Sequence, residues 1–388
     1  MSVHHGIPEY CFYDNLEDLI YDKPPTQVPL DLLPPPIKIE DISITNELLT
    51  FVDYIKEHSL FTTNPTYKYL AKVEAPIREL DRMIGMSTIK ANIANQVIYY
   101  AKKLGQGAGK LDESVVSFLN TAIYGAPGCG KTTIAHIIGK IYLKLGILTK
   151  DEVKIGNRSN MIAKYLGQTA IKTTEFLNQS RGCVVFLDEV YQLGSGRDDG
   201  NRDSFAKECI DTINQFITEN PGEIVIIVAG YREQVKQCFF AQNAGLERRF
   251  RWSYTIEPYK PAELLDIFCH QAKLRKFQIV APELAKWGKP LMRKGEPVLN
   301  KAGQPVYAKG PGVRFFEQYK DLFQFGGGDT ETLLDKCIMI NEKRTIAESQ
   351  DEGKLNSVDI EKGMAQYKEY VKDRIGNQGD DLRYRYIV

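Results

Sequence analysis

The chain has 388 residues, and its hydrophobic content of 43% allows two or three domains with a substantial core. Fifty basic residues balance fifty acidic ones, which argues against an overall field that would draw the protein to nucleic acid or to a membrane. Seven dispersed cysteines without a Cys-x-x-Cys pair argue against a disulfide framework and a zinc site. No signal segment or membrane-spanning apolar run is present, so we expect a soluble intracellular protein.

The first predicted unit is a proline-rich arm, residues 1–78, which holds nine of the eighteen prolines. Prolines at this density break helices and favour extended segments. Within the arm, the apolar spacing of residues 45–58 predicts one amphipathic helix with a polar cap at its start. A docking tail and a poorly ordered extension are both compatible with this pattern.

Residues 79–258 are predicted to form a large α/β domain around GAPGCGKT, which follows a short apolar strand and opens a helix. This pattern binds nucleotide phosphates, because its glycines let backbone N–H groups point inward, its lysine reaches the outer phosphates and its hydroxyl is placed for magnesium. ATP and Mg²⁺ are therefore the expected cofactors. Lys131 is also a catalytic candidate and Thr132 a magnesium ligand. The predicted nucleotide-binding residues of the loop are Gly125, Pro127, Gly128, Cys129, Gly130, Lys131, Thr132 and Thr133.

An acid pair, Asp188-Glu189, follows the continuous apolar run 183–187, which is typical of a parallel strand buried on both faces. Asp188 is predicted to hold the magnesium shell opposite Thr132, and Glu189 to polarise the attacking water as a general base. A phosphate loop with such a pair predicts ATP hydrolysis. Strands that alternate with helices through this domain predict a three-layer fold around a parallel sheet.

Residues 259–375 are predicted to form a small helical lid domain, followed by a polar tail, residues 376–388. A basic insertion at about 286–311 interrupts the helices, and its glycine and proline spacing predicts β-hairpin turns. Between residues 286 and 314, seven basic residues accompany a single acid, Glu296. The basic residues are Lys286, Lys289, Arg293, Lys294, Lys301, Lys309 and Arg314.

The segments LDRMIG (80–85), NMIAKYLGQTAIKT (160–173), VVFLDEVYQL (184–193), GLERRF (245–250) and PGVR (311–314), together with the phosphate loop and its helix, resemble the CbxX/CfqX family of AAA+ ATPases. That family includes the red-type rubisco activases. The resemblance covers about residues 80–370 and is most specific at YLGQTAIKT. It implies an AAA+ fold and a homohexameric ring with nucleotide at each subunit interface.

The resemblance also implies roles for residues away from the phosphate loop. Tyr165, Leu166 and Gly167 match the pore loop that grips a threaded polypeptide. Arg249 matches the arginine finger that a neighbouring subunit supplies, and Arg248 is a second candidate. Such an arginine is worth about 10³–10⁵ in rate, so the resemblance implies that activity requires oligomerisation.

Two further matches surround the predicted nucleotide. Arg314 matches the sensor arginine of the small domain, and Met83 and Ile84 match the segment that lies against the adenine. The proline-rich arm and the basic insertion lie outside the matching motifs.

Three functions follow from the sequence. The first is an ATP-driven ring that remodels a protein client by threading it through the pore. The second is a nucleic-acid-handling motor or loader, which the basic insertion motivates. The third is a nucleotide-gated assembly scaffold that threads nothing, which the arm and the insertion motivate. The sequence names no client.

Overall fold

The computed structural model describes most of the chain between residues 39 and 377. The described residues are 39, 42–107, 109–116, 119–165, 167–193, 204–243, 245–285, 287–290, 292–293, 296–297, 307–346 and 352–377. The predictions made for most of the proline-rich arm and for the polar tail after residue 377 fall outside this part of the chain.

The central layer is a five-stranded parallel sheet with the strand order β2-β3-β4-β1-β5. Strands β1, β3 and β4 are buried along their whole length, which explains why the sequence reads there as continuous apolar runs. The predicted α/β class with a parallel sheet is therefore confirmed. The strands are β1 (Thr121–Tyr124), β2 (Val153–Gly156), β3 (Val184–Leu187), β4 (Val225–Gly230) and β5 (Trp252–Thr255).

Helices cover both faces of the sheet, so that a separate hydrophobic core lies on each face. Successive side chains of β4 point alternately into the first core and the second. Ile227 and Ala229 pack in the first core, and Ile226 and Val228 in the second. The first core receives residues of α1 (Thr45–Glu57), α2 (Pro65–Lys72), α3 (Glu74–Arg82), α4 (Ser87–Gln106), α5 (Glu113–Val116) and α6 (Lys131–Lys144). The second receives residues of α7 (Arg158–Met161), α8 (Thr169–Gln179), α9 (Ser204–Glu219) and α10 (Arg232–Cys238).

Helices α1 and α2 lie wholly before residue 79, where the sequence predicted the large domain to begin, and α3 starts before it, yet all three pack in the first core. Thr45 on α1 donates from Oγ1 to Asp81 Oδ1 on α3 at 2.6 Å. Pro65 stands at the first position of α2, where the missing N–H costs no helical hydrogen bond, and Asn64 caps the helix. Pro65 therefore begins a helix instead of breaking one, and the packed unit reaches back at least to residue 45.

A buried polar network crosses the first core between α4, α6 and β5. Gln96 donates from Nε2 to Tyr142 OH at 2.9 Å and accepts from Tyr254 OH at 2.6 Å. The Tyr142 hydroxyl donates in turn to Leu119 O at 3.2 Å. Burial raises the pKa of both phenols, which therefore remain neutral donors.

The lid has its own hydrophobic core, formed by helices α11 to α14. A short parallel pair, β6 with β11, also joins its two halves. The lid elements are α11 (Pro261–Leu274), β6 (Gln278–Ile279), α12 (Pro311–Gln318), α13 (Gly327–Thr345), β11 (Lys354–Leu355) and α14 (Ser357–Asn377). None of the helices in the described part of the chain is both long and apolar enough to span a membrane.

The insertion between β6 and α12 contains two antiparallel strand pairs, which confirms the predicted hairpin character. β7 pairs with β10, and β8 pairs with β9. The strands are β7 (Trp287–Pro290), β8 (Met292–Arg293), β9 (Glu296–Pro297) and β10 (Tyr307–Lys309). Side chains before residue 309 in this insertion lie outside the described structure, so the role predicted for its basic charge stays a prediction.

The buried network yields a test of stability. We expect Gln96→Leu to lower the free energy of unfolding by about 1–3 kcal/mol, because the Tyr254 hydroxyl would lose its acceptor inside the core. Urea unfolding followed by circular dichroism measures this change. The double variant Gln96→Leu/Tyr254→Phe removes the stranded hydroxyl and should recover part of the loss. A Gln96→Leu protein as stable as the wild type would contradict the assigned role of the network.

Candidate nucleotide-binding and catalytic site

The phosphate loop connects β1 to α6 at the carboxyl edge of the sheet. Gly128 and Gly130 have φ angles of 72° and 95°, a left-handed conformation that favours glycine. A Cβ on Gly125 would lie 2.7 Å from Cys129 Sγ, so the loop is also too tightly curled for a side chain there. Gly125 donates from its backbone N to Gly230 O at 3.2 Å, which ties the loop to the end of β4.

Lys131 is the first residue of α6, and its side chain turns back over the loop. Only 6% of the residue is exposed. Its ammonium donates to Ala126 O at 2.9 Å and to Gly125 O at 3.3 Å. A cation held inside the loop at the N-terminus of a 14-residue helix creates a local environment that favours an anionic group.

Thr132 and Asp188 are candidate ligands for Mg²⁺. Thr132 is half-buried in the first turn of α6, and Asp188 is exposed directly after β3. Leu187 on β3 and Ala122 on β1 both pair with Val228 of β4, so the two strands end at the same edge. Because β4 lies between them, β1 and β3 are two strand spacings apart, roughly 10 Å. Hydroxyl and carboxylate oxygens are ligands that Mg²⁺ accepts, so these residues fit the cation chemically.

Glu189 has an unusual backbone conformation. Its φ of 44° lies in the left-handed region, which costs a non-glycine residue about 1–3 kcal/mol and is found preferentially at active sites. Its backbone N donates to Asp188 Oδ1 at 2.9 Å, and its carboxylate accepts from Gln192 Nε2 at 2.7 Å. Both carboxylates are thus oriented by local hydrogen bonds. The sequence analysis did not identify Gln192, although it stands three residues after Glu189.

Cys129, Pro127 and Thr133 are further loop residues of the predicted site. Cys129 is buried, and burial raises the pKa of its thiol, while nearby Lys131 lowers it by less. Its carbonyl accepts from Tyr259 OH at 3.1 Å, a contact from the start of the lid that the sequence did not reveal. Pro127 is half-buried within the loop, and Thr133 is exposed on α6.

The segment predicted to contact adenine lies beside the phosphate loop. Measured from the place that a Cβ on Gly130 would take, Met86 Cε lies at 3.0 Å and Met83 Cε at 3.5 Å. Ile84 is half-buried in the same turn. The structure therefore brings Met83 to the loop and adds Met86, which the sequence analysis had not selected.

The lid touches the phosphate loop through the turn Phe325–Gly328. A Cβ on Gly128 would lie 2.9 Å from Phe325 O and 3.3 Å from Gly328 N. Conversely, a Cβ on Gly327 would lie 3.3 Å from Gly128 O. The run of three glycines at 326–328 is the sequence signal for this turn.

Arg314, the predicted sensor arginine, contacts a different part of the lid. Its Nε and Nη2 donate to Lys309 O at 3.3 and 3.1 Å, which joins α12 to strand β10 of the insertion. A contact between Arg314 and a nucleotide stays a prediction.

The two finger candidates lie together on the short 3-10 turn Glu247–Arg249 before β5. Arg249 is half-buried and donates from Nε to Asn214 Oδ1 of α9 at 2.9 Å. Arg248 is exposed. One hydrogen bond to Asn214 thus holds the Arg249 guanidinium against α9, whereas Arg248 is the more exposed of the two residues.

The loop that carries Tyr165 projects between α7 and α8. Tyr165 is 70% exposed, which is unusual for a large aromatic side chain, and Gly167 has a φ of 79°. The base of the loop is fixed, because Lys172 Nζ donates to Ile162 O at 2.9 Å and Thr173 Oγ1 to Met161 O at 2.9 Å. Leu166 lies outside the described residues. The structure thus presents one aromatic ring on an anchored loop.

A model of the ATPase family associated with various cellular activities (AAA) matches residues 121–243. The chain is similar to a putative cfxQ-like protein of Acanthamoeba polyphaga mimivirus, with 33% identity over 310 residues, 79% of this chain and 68% of that protein. It is also similar to stage V sporulation protein K of Bacillus subtilis, with 31% identity over 212 residues, 54% of this chain and 63% of that protein. It thus spans about two thirds of either relative.

Among solved structures, this chain is similar to a RuvB mutant of Thermotoga maritima. The match covers 74% of this chain and 72% of the RuvB chain, with a TM-score of 0.44 and 15% sequence identity.

Proposed function

Because this chain belongs to the CbxX/CfqX family of AAA ATPases, we propose that it binds ATP with Mg²⁺ at the phosphate loop and hydrolyses it. The observation that carries the proposal is the common edge of β1 and β3, which gathers Lys131, Thr132, Asp188 and Glu189. A phosphate-binding loop and an oriented acid pair at one edge are the parts that ATP hydrolysis requires.

In this proposal the backbone N–H groups of the loop bind the phosphates, and Lys131 exchanges its loop carbonyls for phosphate oxygens. Thr132 and Asp188 hold Mg²⁺, which when bound neutralises charge on the outer phosphates. Glu189 accepts the proton of the attacking water, while Gln192 and the bond to Asp188 limit where the carboxylates can point. Met83, Ile84 and Met86 offer an apolar surface for the base.

We propose further that the active unit is a homo-oligomeric ring, hexameric as the resemblance implies. Arg249 or Arg248 then stabilises transition-state charge in the adjacent subunit. Both arginines stand on a turn after α10 and before β5, and Arg248 is exposed in the single chain. An exposed guanidinium can contact a neighbouring subunit without first leaving a buried position in its own.

The energy of hydrolysis is proposed to act on a polypeptide held by Tyr165. An aromatic ring on a loop anchored at its base can press on any chain without reading its sequence. The 70% exposure of Tyr165 supports this role, because an aromatic ring needed for the subunit's own core would be covered. The proposed client is a protein of unspecified identity.

The hydrolytic step is tested with Glu189→Gln. We expect ATP binding to persist and phosphate release to fall by about 10²–10⁴-fold, because the general base is lost while the phosphate loop is intact. Phosphate release and titration with a fluorescent ATP analogue measure the two properties. Glu57→Gln on α1 provides a matched control and should behave as the wild type. Normal hydrolysis by Glu189→Gln would assign the base to another residue.

The shared site is tested by mixing two inactive variants. Arg249→Ala retains its own acid pair but lacks the finger, whereas Glu189→Gln retains the finger but cannot hydrolyse ATP. We expect each alone to lose at least about 10²-fold in rate and the mixture to regain activity, because mixed interfaces reunite both parts. A second mixture, in which Arg248→Ala replaces Arg249→Ala, decides which of the two arginines is the finger. A mixture without recovery for either arginine would argue against a finger in trans.

The polypeptide-gripping role is tested with Tyr165→Ala and Tyr165→Phe. Fluorescently labelled unfolded casein serves as the probe, and its capture is measured with each change placed in the Glu189→Gln protein held in ATP. We expect Tyr165→Ala to lose capture by about tenfold, since one aromatic contact contributes about 1–2 kcal/mol, and Tyr165→Phe to retain it. An assembled ring that captures no casein even with Tyr165 intact would favour the nucleotide-gated scaffold.

A further inference from the structure

A buried ion pair joins the last helix of the lid to the turn that touches the phosphate loop. Arg374 on α14 donates from Nη1 to Asp329 Oδ1 on α13 at 2.7 Å. The two side chains are only 13% and 2% exposed. The other carboxylate oxygen, Oδ2, accepts from the backbone N of Phe325 at 2.7 Å. Asp329 therefore binds the turn on one side and the arginine on the other.

Arg374 also holds the turn directly. Its guanidinium lies 4.6 Å from the centroid of the Phe325 ring, within the range of a cation–π contact. Phe325 in turn presents its carbonyl to Gly128 of the phosphate loop. A continuous set of contacts thus runs from α14, near the end of the described chain, to the loop at the centre of the candidate site.

The turn is braced from the rest of the lid as well. Gln271 on α11 donates from Nε2 to Gly327 O at 2.9 Å, and Thr330 Oγ1 donates to Gln271 Oε1 at 2.9 Å. Gly326 has a φ of 52°, and a Cβ there would lie 2.7 Å from the Tyr259 ring. The turn is therefore held in one position: its glycines permit the close packing, and the contacts with Gln271 and Tyr259 fix it there.

We infer that Arg374 and Asp329 are positioning residues that hold the turn Phe325–Gly328 against Gly128 and thereby set the nucleotide affinity of the phosphate loop. This inference rests on the proposed nucleotide site. Neither residue touches the phosphate loop, so both act through the turn. When the pair is removed, the turn is held less firmly, and a smaller fraction of the molecules has the phosphate loop in its binding-competent arrangement. The apparent affinity for nucleotide falls in proportion to that fraction.

The lid contains a matched pair at the opposite ends of the same two helices. Arg344 on α13 donates to Asp359 on α14 at 2.9 Å, and Asp359 is fully buried. Asp359 also accepts from the backbone N of Asn356, just as Asp329 accepts from Phe325. The two pairs therefore stabilise the lid in similar ways, but only one of them is linked to the phosphate loop.

The experiment compares two double variants of the full chain, Asp329→Leu/Arg374→Met and Asp359→Leu/Arg344→Met. Removing both charges of each pair avoids leaving one buried ion without its partner. The dissociation constant of a fluorescent ADP analogue is titrated, and the melting temperature is measured without nucleotide. We expect the first variant to bind on the order of tenfold more weakly, a typical coupling between sites, and the second to bind as the wild type does. Equal dissociation constants for the two variants would overturn the inference.

Hydrogen exchange of the phosphate-loop peptide supplies a readout that needs no nucleotide. Exchange at Gly125–Gly130 should be faster in Asp329→Leu/Arg374→Met than in the matched control. If the wild type bound no nucleotide, the proposed function would fail, and so would the affinity claim, while this exchange would still decide the positioning. Unchanged exchange and unchanged affinity in a wild type that does bind would overturn the inference alone.

Gly327→Ala tests the same contact without altering the ion pair. Its Cβ would press on Gly128 O at 3.3 Å, so we expect weaker nucleotide binding in a protein whose lid retains its salt bridges. This variant guards against a folding defect in Asp329→Leu/Arg374→Met. A Gly327→Ala protein with wild-type affinity and wild-type exchange of the loop would count against the contact itself.

Discussion

Parallel strands bring all of their carboxyl ends to one edge of a sheet, and the candidate site depends on this constraint. β1 delivers the phosphate loop, β3 delivers the acid pair, and β4 lies between them and accepts a hydrogen bond from Gly125 through Gly230 O. Because the three strands are hydrogen-bonded in register, their ends cannot shift independently. The sheet therefore fixes distances that loops of this length could not fix alone.

The lid is joined to this edge through one tyrosine hydroxyl and through backbone atoms of one turn. Tyr259 donates to a loop carbonyl, and the turn Phe325–Gly328 presents carbonyl and amide groups to Gly128. On both sides the close approach requires residues without a Cβ. The precision of the contact then comes from more distant, buried side chains such as Asp329, which hold the backbone in place. Elsewhere the lid and the large domain keep separate hydrophobic cores.

Residues that belong to a short contiguous motif could be predicted from the sequence. The phosphate loop, the apolar strands and Asp188-Glu189 belong to this group, because each motif carries its own strand–loop–helix context. Tyr259, Gln192 and the glycine turn could not, since their roles arise only when distant segments meet. The place of α1 and α2 in the core could not be predicted either, because dense prolines usually indicate broken helices, whereas Pro65 occupies the first helical position, which favours proline.

The place of β1 in the sheet also has a consequence for how the chain folds. Thr121 pairs with Ile227 of β4 on one side and with Trp252 of β5 on the other, so the strand made first among the five lies between two that are made much later. Long-range parallel pairing of this kind is slow, because the entropy of closing long loops is lost before contacts compensate. During synthesis one edge of β1 stays open until β4 has been made, and the other until β5 is complete at residue 255. Until then the strand that leads into the phosphate loop is exposed to mispairing in the nascent chain.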